Sequence, residues 1–234
     1  GIGSNIFSYT PWALERWRNE ITKVVVEEGI QSICTAAFAD CQNIQSVELT
    51  DSLTYIGECA FDGCARLKEI TLPERIRTIE RRCFQDCPSL EKIVLPDELE
   101  EISLGAFRRC ASLTSVDLPG NLKTISNYAF AYTGLTDMTF PTGVEAIGYK
   151  SFAYCAGYPE TIHLPDSLTQ IGGYVFDTSD TTSVVKKLSV SSIDVLLNRN
   201  RYYADTNPYI YINGQEAHEL IVHEGKKIIK EYSL

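Results

Sequence analysis

Seven phenylalanines recur along this chain at intervals of 22 to 24 residues, and this spacing constrains the fold more than any other feature. They are Phe38, Phe61, Phe84, Phe107, Phe130, Phe152 and Phe176. Apolar residues recur in the same frame: the position five residues before each phenylalanine is always isoleucine, and those 14, 12 and 8 residues before it are always Val, Ile, Leu, Met or Phe. The chain therefore consists largely of seven copies of one short unit.

A unit of about 23 residues cannot bury its own apolar side chains, so neighbouring units have to stack and share one core. Within a unit, Leu67-x-x-Ile70-x-Leu72 alternates as a strand does. In five units proline follows, and because it donates no backbone hydrogen bond it ends each strand at one level. The segment from Ala60 to Cys64 predicts a tight turn or short helical turn. The pattern thus predicts a repeat solenoid of short parallel strands, mostly β.

The complete unit, L-x-x-I-x-L-P-x-x-L-x-x-I-x-x-x-A-F-x-x-C, resembles the BspA-like, Treponema-type leucine-rich repeat family of bacterial surface proteins. The resemblance covers most of the chain and implies a right-handed coil on a cell surface or in a secreted protein. The asparagine ladder of larger leucine-rich repeats is not kept, since Ser52, Arg75 and Glu98 occupy its place. Short strands or turns on both faces, with modest curvature, are therefore expected.

The repeat frame and the resemblance divide the chain into four parts. These are an N-terminal cap and lead-in segment at 1–23, seven leucine-rich repeats at 24–187, an irregular long unit with a hairpin at 188–219, and a truncated eighth repeat at 220–234. We expect Trp12 and Trp17 to cover the open end of the core, because a bare apolar end would associate. In the eighth repeat, Leu220, Ile229 and Leu234 take the positions of the two strand residues and the phenylalanine.

Charge and hydropathy exclude two classes of partner. The 21 Lys and Arg residues against 31 Asp and Glu give a net charge of -10, which opposes binding to a phosphate backbone or an anionic membrane. Apolar runs are only a few residues long, far short of the roughly 20 that cross a bilayer. We therefore expect neither nucleic acid binding nor membrane insertion.

Five of the eight cysteines share one position, three residues after the phenylalanine. They are Cys41, Cys64, Cys87, Cys110 and Cys155. Thr133 and Ser179 take this position in other units, so these cysteines are expected to be small buried groups rather than bridge partners. Paired Cys or Cys/His spacing typical of zinc is missing. Whether the remaining cysteines form a disulfide is left open by the sequence; they are Cys34, Cys59 and Cys83.

Nothing in the sequence predicts catalysis or a cofactor. The three histidines, His163, His218 and His223, belong to no metal-binding or nucleophile motif. The pair Gly172-Gly173 lies where other units carry ordinary turn residues, so it indicates a turn rather than a phosphate-binding loop. We predict that the chain is not an enzyme and holds no cofactor or metal.

Two surfaces are candidate binding sites. On the predicted concave face, the outward position 13 residues before the phenylalanine is occupied by Glu48, Thr71, Val94, Asp117, Thr139 and His163. Tyrosines within three residues of the phenylalanine in units five to seven are predicted to line one edge of the coil; they are Tyr128, Tyr132, Tyr149, Tyr154 and Tyr174. Tyrosine suits protein and carbohydrate contacts, but rings in this arrangement also pack on one another to fill gaps.

Arginines cluster in units three and four, and they either receive an acidic partner or balance neighbouring Glu and Asp. They are Arg75, Arg77, Arg81, Arg82, Arg108 and Arg109. The resemblance implies a non-enzymatic module, monomeric and extracellular or on the bacterial surface, that binds a protein or glycan in adhesion or in host or partner recognition. The alternatives are a structural spacer and a glycan-binding accessory domain of a larger surface enzyme.

Overall fold

The computed structural model describes residues 15–159 and 161–177, and beyond them the strand segments 187–190, 211–212, 215–216, 219–222 and 228–230. The chain winds into a parallel β-solenoid in which one coil corresponds to one sequence unit, so the predicted fold class is confirmed. Coils one to seven are numbered here by their phenylalanines. One helical turn, α1 (Glu15–Arg18), precedes the first coil. It carries Trp17, which is 40% exposed, whereas Trp12 lies outside the described residues.

One side of the solenoid, the first sheet, is built from the strands that begin 15 residues before each phenylalanine. With elements numbered in chain order, these are β1 (Lys23–Val25), β3 (Ser46–Glu48), β5 (Glu69–Thr71), β7 (Lys92–Val94) and β11 (Thr161–His163). On this side β1 pairs with β3 and β5 pairs with β7, with equivalent residues side by side, as Val24 and Val47 are. In coils five and six the equivalent segments 115–117 and 137–139 form no strand, although Met138 is still buried.

A second sheet lies at the isoleucine five residues before each phenylalanine. Its strands are β2 (Ser32–Ile33), β4 (Tyr55–Ile56), β6 (Thr78–Ile79), β8 (Glu101–Ile102), β9 (Thr124–Ile125), β10 (Ala146–Ile147) and β12 (Gln170–Ile171). Strands β6, β8, β9, β10 and β12 pair in parallel, with isoleucine beside isoleucine, and β2 pairs in the same way with β4. The ladder from β6 to β12 runs through five coils, whereas β2 and β4 form a separate pair.

The third side, the turn face, consists of tight turns around each phenylalanine. Alternate residues donate hydrogen bonds to different places: the Phe61 N–H donates to the Cys83 carbonyl of the next coil, whereas the Asp62 N–H donates to the Cys59 carbonyl of its own coil. This alternation requires a left-handed backbone two residues before and two residues after the phenylalanine, with φ of 54° at Cys59 and 74° at Gly63. The predicted turn is therefore present, and it repeats from coil to coil.

The core lies between these three sides and is organised by the phenylalanines. All seven stack as a continuous ladder, with centroids of neighbouring rings 5.2 to 6.1 Å apart. The six rings from Phe61 onward are 0 to 2% exposed. Full burial of one such side chain contributes about 1.5–3 kcal/mol, so the ladder is a large part of the hydrophobic stabilisation.

Beyond coil seven, β13 (Lys187–Val190) and β16 (Glu219–Val222) extend the first sheet in parallel, with Leu188 beside Ile162. The strands β14 (Tyr211–Ile212) and β15 (Gln215–Glu216) form an antiparallel hairpin. The last strand, β17 (Ile228–Lys230), runs antiparallel to β16. Ile229 therefore lies opposite Leu220 in the first sheet and not on the second sheet, which differs from the repeat position that the sequence predicted. Leu234 lies outside the described residues.

Within the part of the chain described above, no helix has the length and apolar composition needed to cross a bilayer.

Candidate functional site

The five tyrosines proposed as a binding site lie together on the turn face of coils five to seven, and we call this group the tyrosine edge. Four of them occupy the left-handed positions that flank the phenylalanine; they are Tyr128, Tyr132, Tyr154 and Tyr174, with φ between 57° and 61°. Tyr149 directly precedes the left-handed Lys150. Tyr132 is 42% exposed and the other four are half-buried.

The rings of the tyrosine edge form two rows. In one row, Tyr149 makes edge-to-face contacts with Tyr128 and Tyr174, with centroids 5.5 and 5.9 Å apart. In the other, Tyr132 and Tyr154 stack with centroids 4.8 Å apart. Both are favourable aromatic geometries, so the rings hold each other in place as well as facing solvent.

Two cations sit against these rings. The guanidinium carbon of Arg108 is 5.6 Å from the ring centroid of Tyr128 and 5.9 Å from that of Tyr132. The Lys150 Nζ lies 5.4 Å from the centroids of Tyr154 and Tyr174, and 5.7 Å from that of Tyr149. Each of the five rings therefore contacts both a cation and another ring.

Asp177 anchors one end of the tyrosine edge. The Tyr154 hydroxyl donates to Asp177 Oδ2 at 2.8 Å, and the Lys150 Nζ lies 3.5 Å from the same oxygen. This hydrogen bond, followed by burial, raises the pKa of Tyr154. Burial alone would lower the pKa of Lys150, but its contacts with Tyr149, Tyr154 and Asp177 raise it overall. Lys150 therefore stays protonated and paired.

The hydrogen bonding and ion pairing of Arg108 differ from those of Lys150. Its Nε is buried and has no hydrogen-bond partner, and among the described residues no carboxylate forms an ion pair with it. Other arginines of the predicted basic stretch are neutralised: Arg77 pairs with Glu98 and Glu100, and Arg109 with Asp86. Two arginines of the basic stretch are therefore paired, and Arg108 lies against the tyrosines without a described carboxylate partner.

The second candidate surface, the outward positions of the first sheet, is exposed at all six predicted residues. Three of them, Glu48, Thr71 and Val94, line one open groove of about 530 Å³ across coils two to four. Asp117, Thr139 and His163 lie on the same side in later coils. The groove is mixed in charge, with Glu69 and Lys92 among its lining residues, and it contains no aromatic ring.

The shared cysteine position is buried in the structure, and all eight cysteines are free thiols. Cys64, Cys87, Cys110 and Cys155 each donate to the phenylalanine carbonyl of the preceding coil. Cys87 Sγ, for example, lies 3.1 Å from the Phe61 oxygen and Cys110 Sγ lies 3.1 Å from the Phe84 oxygen. Burial raises the pKa of Cys87 to about 12 and that of Cys155 to about 11. Cys83 is buried as well, while Cys34 and Cys59 are half-buried.

An acidic pocket of about 680 Å³ lies at the opposite end of the turn face, lined by Asp40, Asp62 and Asp86. Burial, and then the charges of Asp86 and Asp40, raise the pKa of Asp62 to about 6. The described residues contain no group of three or more His, Cys, Asp or Glu side chains arranged to hold a metal ion.

The tyrosines of this edge were predicted from the sequence, but the charged residues that contact them were not. Arg108, Lys150 and Asp177 were not predicted to join this site. All three fall within two residues of a phenylalanine, in the same turn as the tyrosines, and that position in the frame is the signal that would have found them.

Comparison with known proteins identifies the repeat. The model of the BspA type leucine rich repeat region matches six copies, at residues 16–136 and 123–197. No curated protein matches the chain. A solved leucine-rich repeat protein from Bacteroides ovatus is 28% identical, with a TM-score of 0.58 over 76% of this chain and 51% of that chain.

Two further solved structures are similar at lower identity. A leucine rich cell surface protein from Faecalibacterium prausnitzii is 20% identical, with a TM-score of 0.44 over 73% of this chain and 63% of that one. The pneumococcal vaccine antigen PcpA is 16% identical, with a TM-score of 0.46 over 88% and 68%. This chain spans about half the length of the Bacteroides protein. Because the family model matches well over half of its residues, the chain belongs to the BspA type leucine-rich repeat family.

Proposed function

We propose that this chain is a non-enzymatic binding module of a bacterial surface or secreted protein, and that it recognises a protein or glycan partner in adhesion or host recognition. Family membership supports a repeat scaffold that presents surfaces to partners. The observation that carries the proposal is the tyrosine edge, five contiguous partly exposed rings on one side of coils five to seven.

Four of the five tyrosines project from left-handed turn positions that recur from coil to coil, so the repeated backbone brings their rings to one edge. Large rings with polar tips are favoured at interfaces because they bury much area with few rotatable bonds.

Two other functions make different predictions. A structural spacer, which holds another domain away from the cell wall, would bind nothing through the tyrosine edge. An accessory domain of a surface enzyme would bind glycans while another domain performs the chemistry. The first-sheet groove at Glu48, Thr71 and Val94 is the competing site within the binding-module proposal.

A solution binding screen tests the proposal. The chain is titrated against extracellular matrix proteins, mucins and a glycan panel, beside a variant that combines Tyr128→Ala, Tyr149→Ala and Tyr174→Ala. The matched control combines Thr71→Ala, Val94→Ala and Thr139→Ala on the first sheet, and circular dichroism establishes that both variants are folded. Loss of binding in the tyrosine variant alone supports the proposal, whereas no binding at high micromolar concentration would favour the spacer.

A further inference from the structure

We infer that the tyrosine edge binds an acidic segment of a protein partner, and that Arg108 receives a carboxylate of that segment. This inference rests on the proposed function and names the chemistry of its partner. Three observations support it: the contacts and ion pairing of the Arg108 side chain, the packing of the rings around it, and the distribution of charge along the turn face.

Within the described ranges, Arg108 contacts aromatic rings and forms no ion pair with a carboxylate. Its guanidinium lies within 6 Å of the ring centroids of Tyr128 and Tyr132, and its Nε is buried without a hydrogen-bond partner. Partial burial weakens its hydration, so a carboxylate that reaches the guanidinium gains more than it would at a fully exposed arginine. The fixed position also reduces the side-chain entropy lost when a partner binds.

Lys150 is the other cation of the tyrosine edge, and its charge is neutralised by a carboxylate. It contacts three rings and also lies 3.5 Å from Asp177. Among the described residues, the contacts of the tyrosine edge therefore include two cations and one carboxylate, which leaves one positive charge at Arg108. A guanidinium donates two parallel hydrogen bonds to a carboxylate, and this geometry suits the side chain of Glu or Asp.

The ring packing favours a protein segment over a neutral glycan. Neutral sugars lie flat on open aromatic faces. Here Tyr132 and Tyr154 stack on each other, and Arg108 and Lys150 lie over the rings of both rows. What remains for a partner is ring edges, hydroxyl tips and a cation, a combination typical of protein interfaces rich in Tyr and Arg.

Charge along the turn face restricts where an acidic partner can lie. Asp40, Asp62 and Asp86 form the acidic pocket in coils one to three, and the whole chain carries a net charge of -10. The net negative charge and this pocket disfavour an acidic segment over the early coils, whereas Arg108 offers it a positive charge beside the tyrosines. Binding should be sensitive to salt, because partly exposed charges are screened within about 10 Å at ordinary ionic strength.

The test uses two labelled decapeptides, one in which Glu alternates with Gly and one in which Gln replaces every Glu. Fluorescence anisotropy measures binding to the full chain, to Arg108→Gln, to Arg108→Lys, and to Arg75→Gln, which removes the same charge at an exposed site away from the tyrosines. We expect the Glu peptide to bind and the Gln peptide not to bind. We expect Arg108→Gln to weaken binding about tenfold or more, Arg108→Lys to recover part of the loss, and Arg75→Gln to change it less than about twofold.

A heparin-derived oligosaccharide serves as the alternative polyanion. The inference is overturned if the Glu peptide does not bind, if it binds equally to Arg108→Gln, or if only the oligosaccharide binds in a manner that depends on Arg108. Each of these results leaves the proposed function standing when the tyrosine variant still loses its partner from the screen. If that variant loses nothing, the proposed function itself fails, irrespective of the peptide result.

Discussion

In coils one to six, two residues, one on either side of the phenylalanine, adopt the left-handed backbone conformation. Most are not glycine, as Ala36 (φ 53°) and Arg82 (φ 53°) show. The conformation is imposed by hydrogen bonding, because alternate N–H groups have to reach the next coil while the others close turns within their own. Local strain is therefore distributed along the turn face and compensated by the stack.

Replacing Ala36 with glycine should relieve this strain. Ala36 is exposed, so Ala36→Gly removes almost no buried surface. We expect the free energy of unfolding to rise by roughly 0.5–1 kcal/mol, since the steric penalty of the left-handed region exceeds the entropic cost of glycine. Urea unfolding measures the change. Ala39→Gly, where φ is not positive, is the control and should destabilise; equal destabilisation by both would contradict the account.

Asp62 should make stability depend on pH in an unusual direction. Its pKa is raised from 3.8 to about 6, chiefly by burial and then by Asp86 and Asp40. The folded state then binds the proton more tightly than the unfolded chain, so ionised Asp62 opposes folding above about pH 6 and this penalty disappears as the pH falls toward 3.8.

Asp62→Asn should therefore raise the Tm at pH of about 7.5, and its advantage over the unmodified chain should shrink steadily toward pH of about 4. Thermal unfolding across this range provides the measurement. Asp51→Asn, an exposed aspartate away from the pocket, controls for the loss of one negative charge. An advantage that grows on acidification would show that Asp62 is stabilised in its charged form.

The cysteines should differ sharply in reactivity. Thiols react as thiolates, and burial both shields Cys87 and Cys110 and raises their pKa. In the folded protein at pH of about 8, iodoacetamide should label the half-buried Cys34 and Cys59 first, with all eight labelled after unfolding in urea. Peptide mass spectrometry gives the order. Labelling of Cys87 as fast as Cys59 would contradict a packed thiol position.

At the scale of elements, stability depends on the contact of each coil with its two neighbours. Phe84 stacks on Phe61 at 5.5 Å and on Phe107 at 5.6 Å, and it is fully buried. In a solenoid, a defect of this kind weakens two interfaces at once, because each repeat contacts only the repeats beside it.

Phe84→Ala should lower the free energy of unfolding by about 3–5 kcal/mol, the usual cost of a large core cavity. Phe84→Leu keeps part of the apolar volume and should cost less. Urea unfolding followed by circular dichroism compares the two variants. A loss below about 1 kcal/mol for Phe84→Ala would mean that the neighbouring coils collapse into the space, contrary to a rigid stacked core.

The repeat frame was enough to predict the elements whose residues occur in every unit. The isoleucine before each phenylalanine does pair with its equivalent, as Ile79 does with Ile102. The frame did not predict that 115–117 and 137–139 lack strands, or that Ile229 pairs antiparallel with Leu220. Periodicity predicts which residues occupy equivalent positions in successive coils. It does not predict how their backbones hydrogen-bond or whether a strand reverses direction.

The same limit applied to the candidate site. Equal spacing from the phenylalanine predicted that the tyrosines share an edge, because repeated geometry carries equivalent residues to one side. The contacts of Arg108 and Lys150 with those rings depend on where side chains point from a left-handed turn. In the sequence, Gly63 and Gly105 are the glycines that indicate a left-handed backbone at these turn positions. The other described coils have non-glycine residues there.

For the whole molecule, the solenoid separates three chemistries on different surfaces. The first sheet presents a mixed groove, the turn face of the early coils presents carboxylates, and the turn face of the later coils presents tyrosines beside Arg108, which pairs with no described carboxylate. A partner that binds through one of these surfaces leaves the others free, so variants on separate surfaces should have independent effects.

The central claim is that the tyrosine edge is the binding surface. The most direct test is the Kd of a partner from the screen for two variants measured side by side: Tyr132→Ala with Tyr154→Ala on the tyrosine edge, and Glu48→Ala with Val94→Ala in the first-sheet groove. The account predicts at least about a tenfold loss for the edge variant and less than about a twofold change for the groove variant. The reverse pattern, with both variants folded, would place the site on the first sheet and contradict the account.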